Sequence, residues 1–301
     1  MIGNVESLAQ YPVGGRSRTL NRRVDTIFLA LISLCALIAS LLIVLIVLFL
    51  FKESFPLIHK IGVLRFLTDD GWWPTSGEFN LGPMIVTSLL LMVSAVLVAT
   101  PIAVTFAIYM CFYCEPRVQR FLRVLVDVSA SVPTIIFAFW GLVNVVPLIA
   151  EFAGQGTSLL AGALVLALMI FPTITILTNS ALSAVPTHYF VAGSALGIKK
   201  FSLICHIAIP QARGGIIAAV ILGAARAIGE TMVVLVLCGN IVQMPTSMFD
   251  PVRTLTANIA LEMPYAMGDH RASLYVSGLI VLLVVTGLVL VSELYAKRKY
   301  S

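Results

Sequence analysis

Long uncharged runs alternate with short polar segments along the chain. The first run, Thr26 to Phe51, is 26 residues without a charge. That is enough helix to cross about 30 Å of hydrocarbon with some tilt. It is longer than a signal-peptide core and no small-residue cleavage site follows it, so it reads as a retained transmembrane helix. The second run extends from about Pro83 to Tyr113, with a kink expected at Pro101. The third runs from Leu122 to Ile149, with Asp127 near its start and Pro133 within it. The fourth runs from Ser158 to Leu182 and is interrupted by Pro172; the fifth is Gly215 to Cys238 and the sixth Ser273 to Tyr295. The pattern predicts an all-α polytopic membrane protein with six transmembrane helices. Residues 1–25 form a tail, 26–296 the membrane domain and 297–301 a short second tail.

The polar segments carry the topology. Lys and Arg number four in the first tail, three over 117–123, three over 199–213 and three at the chain end. On the other side there are three over 52–82, none between the third and fourth runs and two over 240–272. The positive-inside rule then puts both termini and the loop 185–214 in the cytoplasm, and the loops 52–82 and 240–272 outside. Trp72 and Trp73, in the first outer loop, are expected as interfacial anchors. Asp269-His270-Arg271 reads as a solvated loop tip.

Composition agrees with a lipid environment. The chain is 59% hydrophobic and 11% charged, with mean hydropathy +1.03; a soluble domain carries about 25% charged residues. The net charge of +5 is a matter of topology, and no basic groove with interleaved aromatics points to nucleic acid. The five cysteines are scattered, which argues against a disulfide framework. Cys111 and Cys114 form a C-x-x-C without a second pair or a nearby histidine, so packing is their expected role. His59, His188, His206 and His270 show no ligand spacing, and neither a metal nor a cofactor is expected. There is no Gly-x-x-x-x-Gly-Lys-Ser/Thr loop, so the chain is not expected to hydrolyse ATP; any ATP-driven motor would be a separate chain.

Between the fourth and fifth runs, Val185 to Pro210 is a fairly polar island. Pro186 suits a first helical turn. Ala192, Gly193, Ser194, Ala195 and Gly197 offer a small-residue surface on which Gly193 and Gly197, four apart, share a face. Gly197 is a helix stop, Ser202 a candidate cap for a second short piece, and Pro210 its expected end. Spacing alone leaves two readings open: an ordinary helical hairpin, or a docking element for a soluble partner.

The same stretch resembles the signature loop of bacterial ABC-importer permeases: Glu-Ala-Ala, three residues, Gly, nine residues, Ile-x-Leu-Pro. Gly197, Ile207 and Pro210 fall at the matching intervals, and Ala192 fits the second position. Val191 stands in place of the usual Glu, Gly193 in place of Ala, and Ile209 in place of Leu. The resemblance implies a coupling helix that seats in a groove of the ATPase subunit, with Val191, Ala192, Gly193, Gly197, Ile207 and Pro210 as its coupling residues. Other segments are similar to phosphate-transport permeases of the PstC type: Val-Pro-Thr-Ile-Ile-Phe-Ala-Phe-Trp-Gly (132–141), Gly-Ala-Ala-Arg-Ala-Ile-Gly-Glu-Thr-Met (223–232), Cys-Gly-Asn (238–240) and Pro-Val-Arg-Thr-Leu-Thr-Ala-Asn-Ile-Ala (251–260). Asn179-Ser180 departs from an acidic pair expected there. The resemblance covers about 52–295 and implies a bacterial inner-membrane location. It also implies a PstA-like second permease subunit, PstB-like ATPase subunits in the cytoplasm and a phosphate-binding protein outside.

Arg226 and Glu230 are the charges inside the fifth run, one turn apart. From Gly215, Arg226 would lie roughly 17 Å deep, where a charge costs on the order of 2.5–3.5 kcal/mol. One reading has Arg226 meet a passing phosphate, whose oxygens match the guanidinium fork, with Glu230 as its switchable partner. The other is a structural ion pair, worth about 4 kcal/mol at 4 Å and an effective dielectric near 20. Asp127 either joins this network or sits at the interface; Asn240 and Thr256 are candidates to receive substrate at the outer face. The leading expectation is the permease subunit of an ATP-driven phosphate importer. The alternatives are a proton-coupled carrier with Glu230 and Asp127 as relay, or an ABC permease for another oxyanion.

Overall fold

The computed structural model describes the backbone of residues 15–297 and the side chains of residues 25–294. The basic tails therefore lie outside the described side chains. The chain divides into two compact units, residues 1–52 and 53–301. The first unit holds most of α1 (Gly15–Ile61). Every side chain from Asp25 to Phe49 is exposed, and all but a few are apolar, so the solvent that suits this rod is lipid.

In the second unit α6 (Leu159–Ser183) is the central helix. Of its most apolar window 67% is buried, against 17–28% for α3 (Gly82–Phe112), α5 (Thr134–Ala153), the run Lys200–Ile228 and α12 (Gly268–Lys297). Together with α1 these make the six expected membrane-spanning helices. Ser158 starts α6 by accepting the Ala161 N–H at 3.3 Å. The neighbour α9 (Ile209–Ile228) lies close against α6 because it presents glycine: a Cβ on Gly223 would fall 2.7 Å from Ile174.

Helix ends depart from expectation in three places. The third run is two helices, α4 (Pro116–Ser131) and α5. Pro133 holds Val132 in an extended conformation (φ −64°, ψ 130°), and α4 is an amphipathic helix whose Arg117, Arg120 and Arg123 are exposed. Second, the fifth span starts early. It is continuous from α8 (Lys200–Leu203) through a π-helical segment, Ile204–Ala208, into α9. The wider π turn accommodates the ring and missing N–H of Pro210, which therefore opens α9 rather than ending a helix. Third, the same span stops early, at Ile228, and a separate α10 (Met232–Leu237) follows.

The segments 62–81 and 240–267 are folded too. After α2 (Arg65–Thr68), β1 (Trp72–Trp73) pairs antiparallel with β2 (Glu78–Phe79), with Trp72 opposite Phe79. Leu57, Phe66, Trp72, Phe79, Leu81, Met84, Leu255 and Leu274 form a core under this hairpin. Trp72 is 6% exposed, so it is a core residue and not an interfacial anchor; Trp73 is 65% exposed. The loop 240–272 contains α11 (Leu255–Glu262), whose N-cap Thr254 accepts the Ala257 N–H at 3.2 Å.

Candidate functional site

The break between α9 and α10, at the end of the span Lys200–Ile228, holds Arg226 and Glu230. Arg226 is in the last turn of α9, not mid-helix, and Glu230 is in the break itself. Each charge sits where a helix end favours it: the cation beside the last carbonyls of α9, the carboxylate beside the first N–H groups of α10. Glu230 Oε1 accepts the Met232 N–H at 3.2 Å. Arg226 Nη1 donates to Thr173 Oγ1 of α6 at 3.0 Å. Among the described residues no ion pair joins Arg226 to Glu230, nor either of them to Asp127, which is exposed on α4. The helix stop turns the two side chains to separate partners, so the structural ion pair considered above is not formed. Both residues remain half-buried, with hydrogen-bonding capacity left over: one neutral partner meets a guanidinium that has five N–H donors.

Thr256 reaches the break, and Asn240 reaches the far end of α10. Thr256 Oγ1, in the first turn of α11, donates to the Glu230 carbonyl at 2.7 Å. Asn240 is in the left-handed region (φ 59°), and its Nδ2 donates to Leu235 O at the end of α10 at 2.7 Å. Its Oδ1 is buried without a hydrogen-bond partner among the described residues. Asn240 also lines a cavity of about 990 Å³ between the segments 70–83 and 240–270, together with Trp73, Met244, Arg253, Tyr265 and His270.

The wall of that cavity holds a polar cluster that the sequence pattern did not reveal. Glu262 Oε1 accepts Arg253 Nη1 at 2.6 Å, and Oε2 accepts Trp72 Nε1 at 2.9 Å and pairs with His270 Nε2 at 2.8 Å. Arg253 also donates through Nε to Asn240 O at 2.9 Å and through Nη1 to Asn258 Oδ1 at 3.1 Å. His270 is thus a partly buried hydrogen-bond partner of Glu262 and not a solvated loop tip. No periodicity links residues 72, 253, 262 and 270; Arg253 lies inside a segment singled out for its family resemblance, and that was the one available signal.

On the opposite face, α7 (His188–Ala195) ends in a Schellman motif. The Ile198 N–H reaches Gly193 O at 3.1 Å, and the Gly197 N–H reaches Ser194 O at 3.0 Å, with Gly197 at φ +72°. Gly197 therefore lies past the helix end and does not share a face with Gly193. Gly193 is buried against Leu203, where a Cβ would fall 2.3 Å from Leu203 Cδ2. Lys199, not Ser202, takes the N-cap position of α8; Ser202 faces His206 at 3.3 Å. Val191 (70%), Leu196 (79%) and Phe201 (69%) are largely exposed, an apolar patch on an otherwise polar loop. Inward, Phe190 stacks on Phe112 of α3 (5.5 Å), and Lys200 lies over the Tyr113 ring at 5.0 Å.

Comparison with known proteins follows the same lines. Residues 99–299 match the family described as binding-protein-dependent transport system inner membrane component. The chain is 32% identical to a probable ABC transporter permease protein, YqgH, of Bacillus subtilis, over 99% of this chain and 100% of that protein. It is 32% identical to the phosphate transport system permease protein PstC of Mesorhizobium japonicum, over 90% of this chain and 89% of that one. The fold is shared with the MetNI methionine ABC transporter in an inward-facing conformation (TM-score 0.59, 15% identity, 71% of this chain and 94% of that one). It is also shared with a bacterial ABC transporter for the acidic polysaccharide alginate (TM-score 0.59, 13% identity, 93% and 99%).

Proposed function

The chain belongs to the binding-protein-dependent transport system inner membrane components, and from that premise we propose that it is one permease half of an ATP-driven importer of inorganic phosphate. The observation that carries the substrate is Arg226: a permanent positive charge at a helix break in the membrane, with one neutral partner among the described residues. A tetrahedral oxyanion can accept the remaining donors of the fork, two at a time. The naming of relatives such as the Mesorhizobium protein narrows that oxyanion to phosphate. Glu230, two residues past the end of α9, is the counter-charge at the same break.

In this reading the chain pairs with a second, PstA-like permease so that helices of both enclose one path. PstB-like ATPases dock in the cytoplasm on the 185–210 loop, through the exposed Val191, Leu196 and Phe201. Ala192, Gly197, Ile207 and Pro210 shape that element. A phosphate-binding protein delivers to the outer loops 52–82 and 240–272, where Asn240 lines the cavity and Thr256 touches the break. Closure of the ATPases moves the loop, and the continuous helix Lys200–Ile228 carries that movement directly to Arg226. Both termini are cytoplasmic. Asp127, exposed on α4, has its place at the inner mouth of the path.

The test is reconstitution of the full complex in proteoliposomes. Phosphate uptake should vanish when the ATPase partner carries an inactivating substitution. Uptake that persists would establish instead the proton-coupled carrier with Glu230 and Asp127 as relay. Competition by sulfate at equal concentration would point to an importer of another oxyanion.

A further inference from the structure

The short helix α11 touches both the outer cluster and the α9–α10 break. It is eight residues long, about 12 Å. Glu262, at its far end, binds the outer hairpin through Trp72, the start of α12 through His270, and Arg253. Thr256, at its near end, holds the Glu230 carbonyl at 2.7 Å. The segment before α11 grips the other end of α10. Val252 N–H donates to Cys238 O at 2.7 Å, Asn240 N–H to Val252 O at 3.1 Å, and Arg253 Nε to Asn240 O at 2.9 Å. Residues 252–262 therefore clasp α10 at both ends; Leu255 N–H is held by Ser88 Oγ at 3.1 Å, and Glu262 ties the far end of the clasp to the hairpin and α12.

We infer that Glu262 is a positioning residue for transport: through Arg253 and α11 it sets the geometry of the break that carries Arg226 and Glu230. This rests on the transport reading above. Glu262 lines the outer cavity with Trp73 and Tyr265, so an occupant of that cavity presses on the residue that anchors the clasp. Movement there reaches Glu230 through one helix and one hydrogen bond. A carboxylate that merely stapled the outer loops together would have no effect at Met232, whose N–H is held by Glu230.

Hydrogen exchange and uptake on the complete reconstituted complex separate the two. Glu262→Gln keeps the side-chain volume and removes the charge; Trp72→Phe is milder and removes one donor; Thr256→Val cuts the link from α11 to Glu230. Glu262→Gln should raise exchange over residues 229–237 about tenfold, with a smaller rise for Trp72→Phe, and should slow initial phosphate uptake about tenfold at unchanged half-saturation. The double variant Glu262→Gln/Thr256→Val should be no slower than the slower single variant, because both break one line of contact. The inference is overturned if faster exchange stays within 70–80 and 253–272, or if the two substitutions multiply independently. Wild-type complex that takes up no phosphate would sink the transport reading, while the exchange pattern would still decide whether the clasp reaches the break.

Discussion

Two arginine–glutamate pairs lie at helix ends in the same unit, and their surroundings are opposite. At the outer cluster Glu262 is met by Arg253, Trp72 and His270, and Arg253 is met by Asn240, Asn258 and Glu262. At the α9–α10 break Arg226 meets one threonine hydroxyl and Glu230 one backbone N–H. Burial of a charge is tolerated when its partners are complete. The outer pair satisfies that condition and holds loops together. The inner pair does not, and its unused donors are what an oxyanion needs. The transport role proposed for the inner charges therefore rests on how fully each charge is partnered, and not on burial alone.

The largest expected effect breaks the outer pair. Glu262→Ala leaves the partly buried Arg253 with Asn240 and Asn258 alone and should cost about 1–3 kcal/mol, seen as a lowered Tm and loss of assembled complex. Glu230→Gln is the contrast. It should leave Tm within a degree or two of wild type while reducing uptake at least about tenfold, since the amide keeps the Met232 contact but not the charge. A fall in Tm as large as for Glu262→Ala would erase the distinction between the pairs. Next comes the cytoplasmic loop. A Cβ on Gly197 meets nothing within 4 Å, so the cost of a side chain there is backbone conformation alone, about 1–2 kcal/mol. Gly197→Val should uncouple ATP hydrolysis from uptake with assembly partly retained, whereas Gly197→Asn, which tolerates the left-handed region, should stay coupled. Assay of both activities in one preparation decides it.

The smallest effect is at the outer surface. Asp250 accepts from the Thr246 hydroxyl and the Ser247 and Thr246 amides, which hold its carboxyl below the usual range. A depressed folded-state value means that its contribution is complete above the ordinary carboxylate range and is lost as pH falls through the folded value. The Tm difference between wild type and Asp250→Asn should therefore be present at neutral pH and close below about pH 4. A difference that is constant with pH would assign it to shape rather than charge.

Much of this was open to reading in the sequence. Six apolar runs gave the six spans, since hydrocarbon leaves few alternatives for a backbone. Gly197 was expected to stop a helix and does. The boundaries were harder. Leu122 to Val128 is apolar enough to extend a span, but Val124, Leu125 and Val128 are exposed side chains of an amphipathic helix; Pro133 was the signal for the break. Arg226 looks mid-helix in the sequence because the stop after Ile228 goes with Glu230 accepting the Met232 N–H, a side-chain contact that no periodicity announces. Glu262 left no local trace: its partners lie up to 190 residues away. Three-dimensional closure, not propensity, selects such residues.

The most direct test of the unmet-partner account is phosphate uptake by the reconstituted complex carrying Arg226→Gln, measured beside its Tm. The guanidinium contacts at stake are worth about 1.5–3 kcal/mol, or roughly 10- to 150-fold in rate. The account predicts uptake reduced by that factor with Tm and ATPase docking retained. Uptake at the wild-type rate, with the variant folded and assembled, would contradict it.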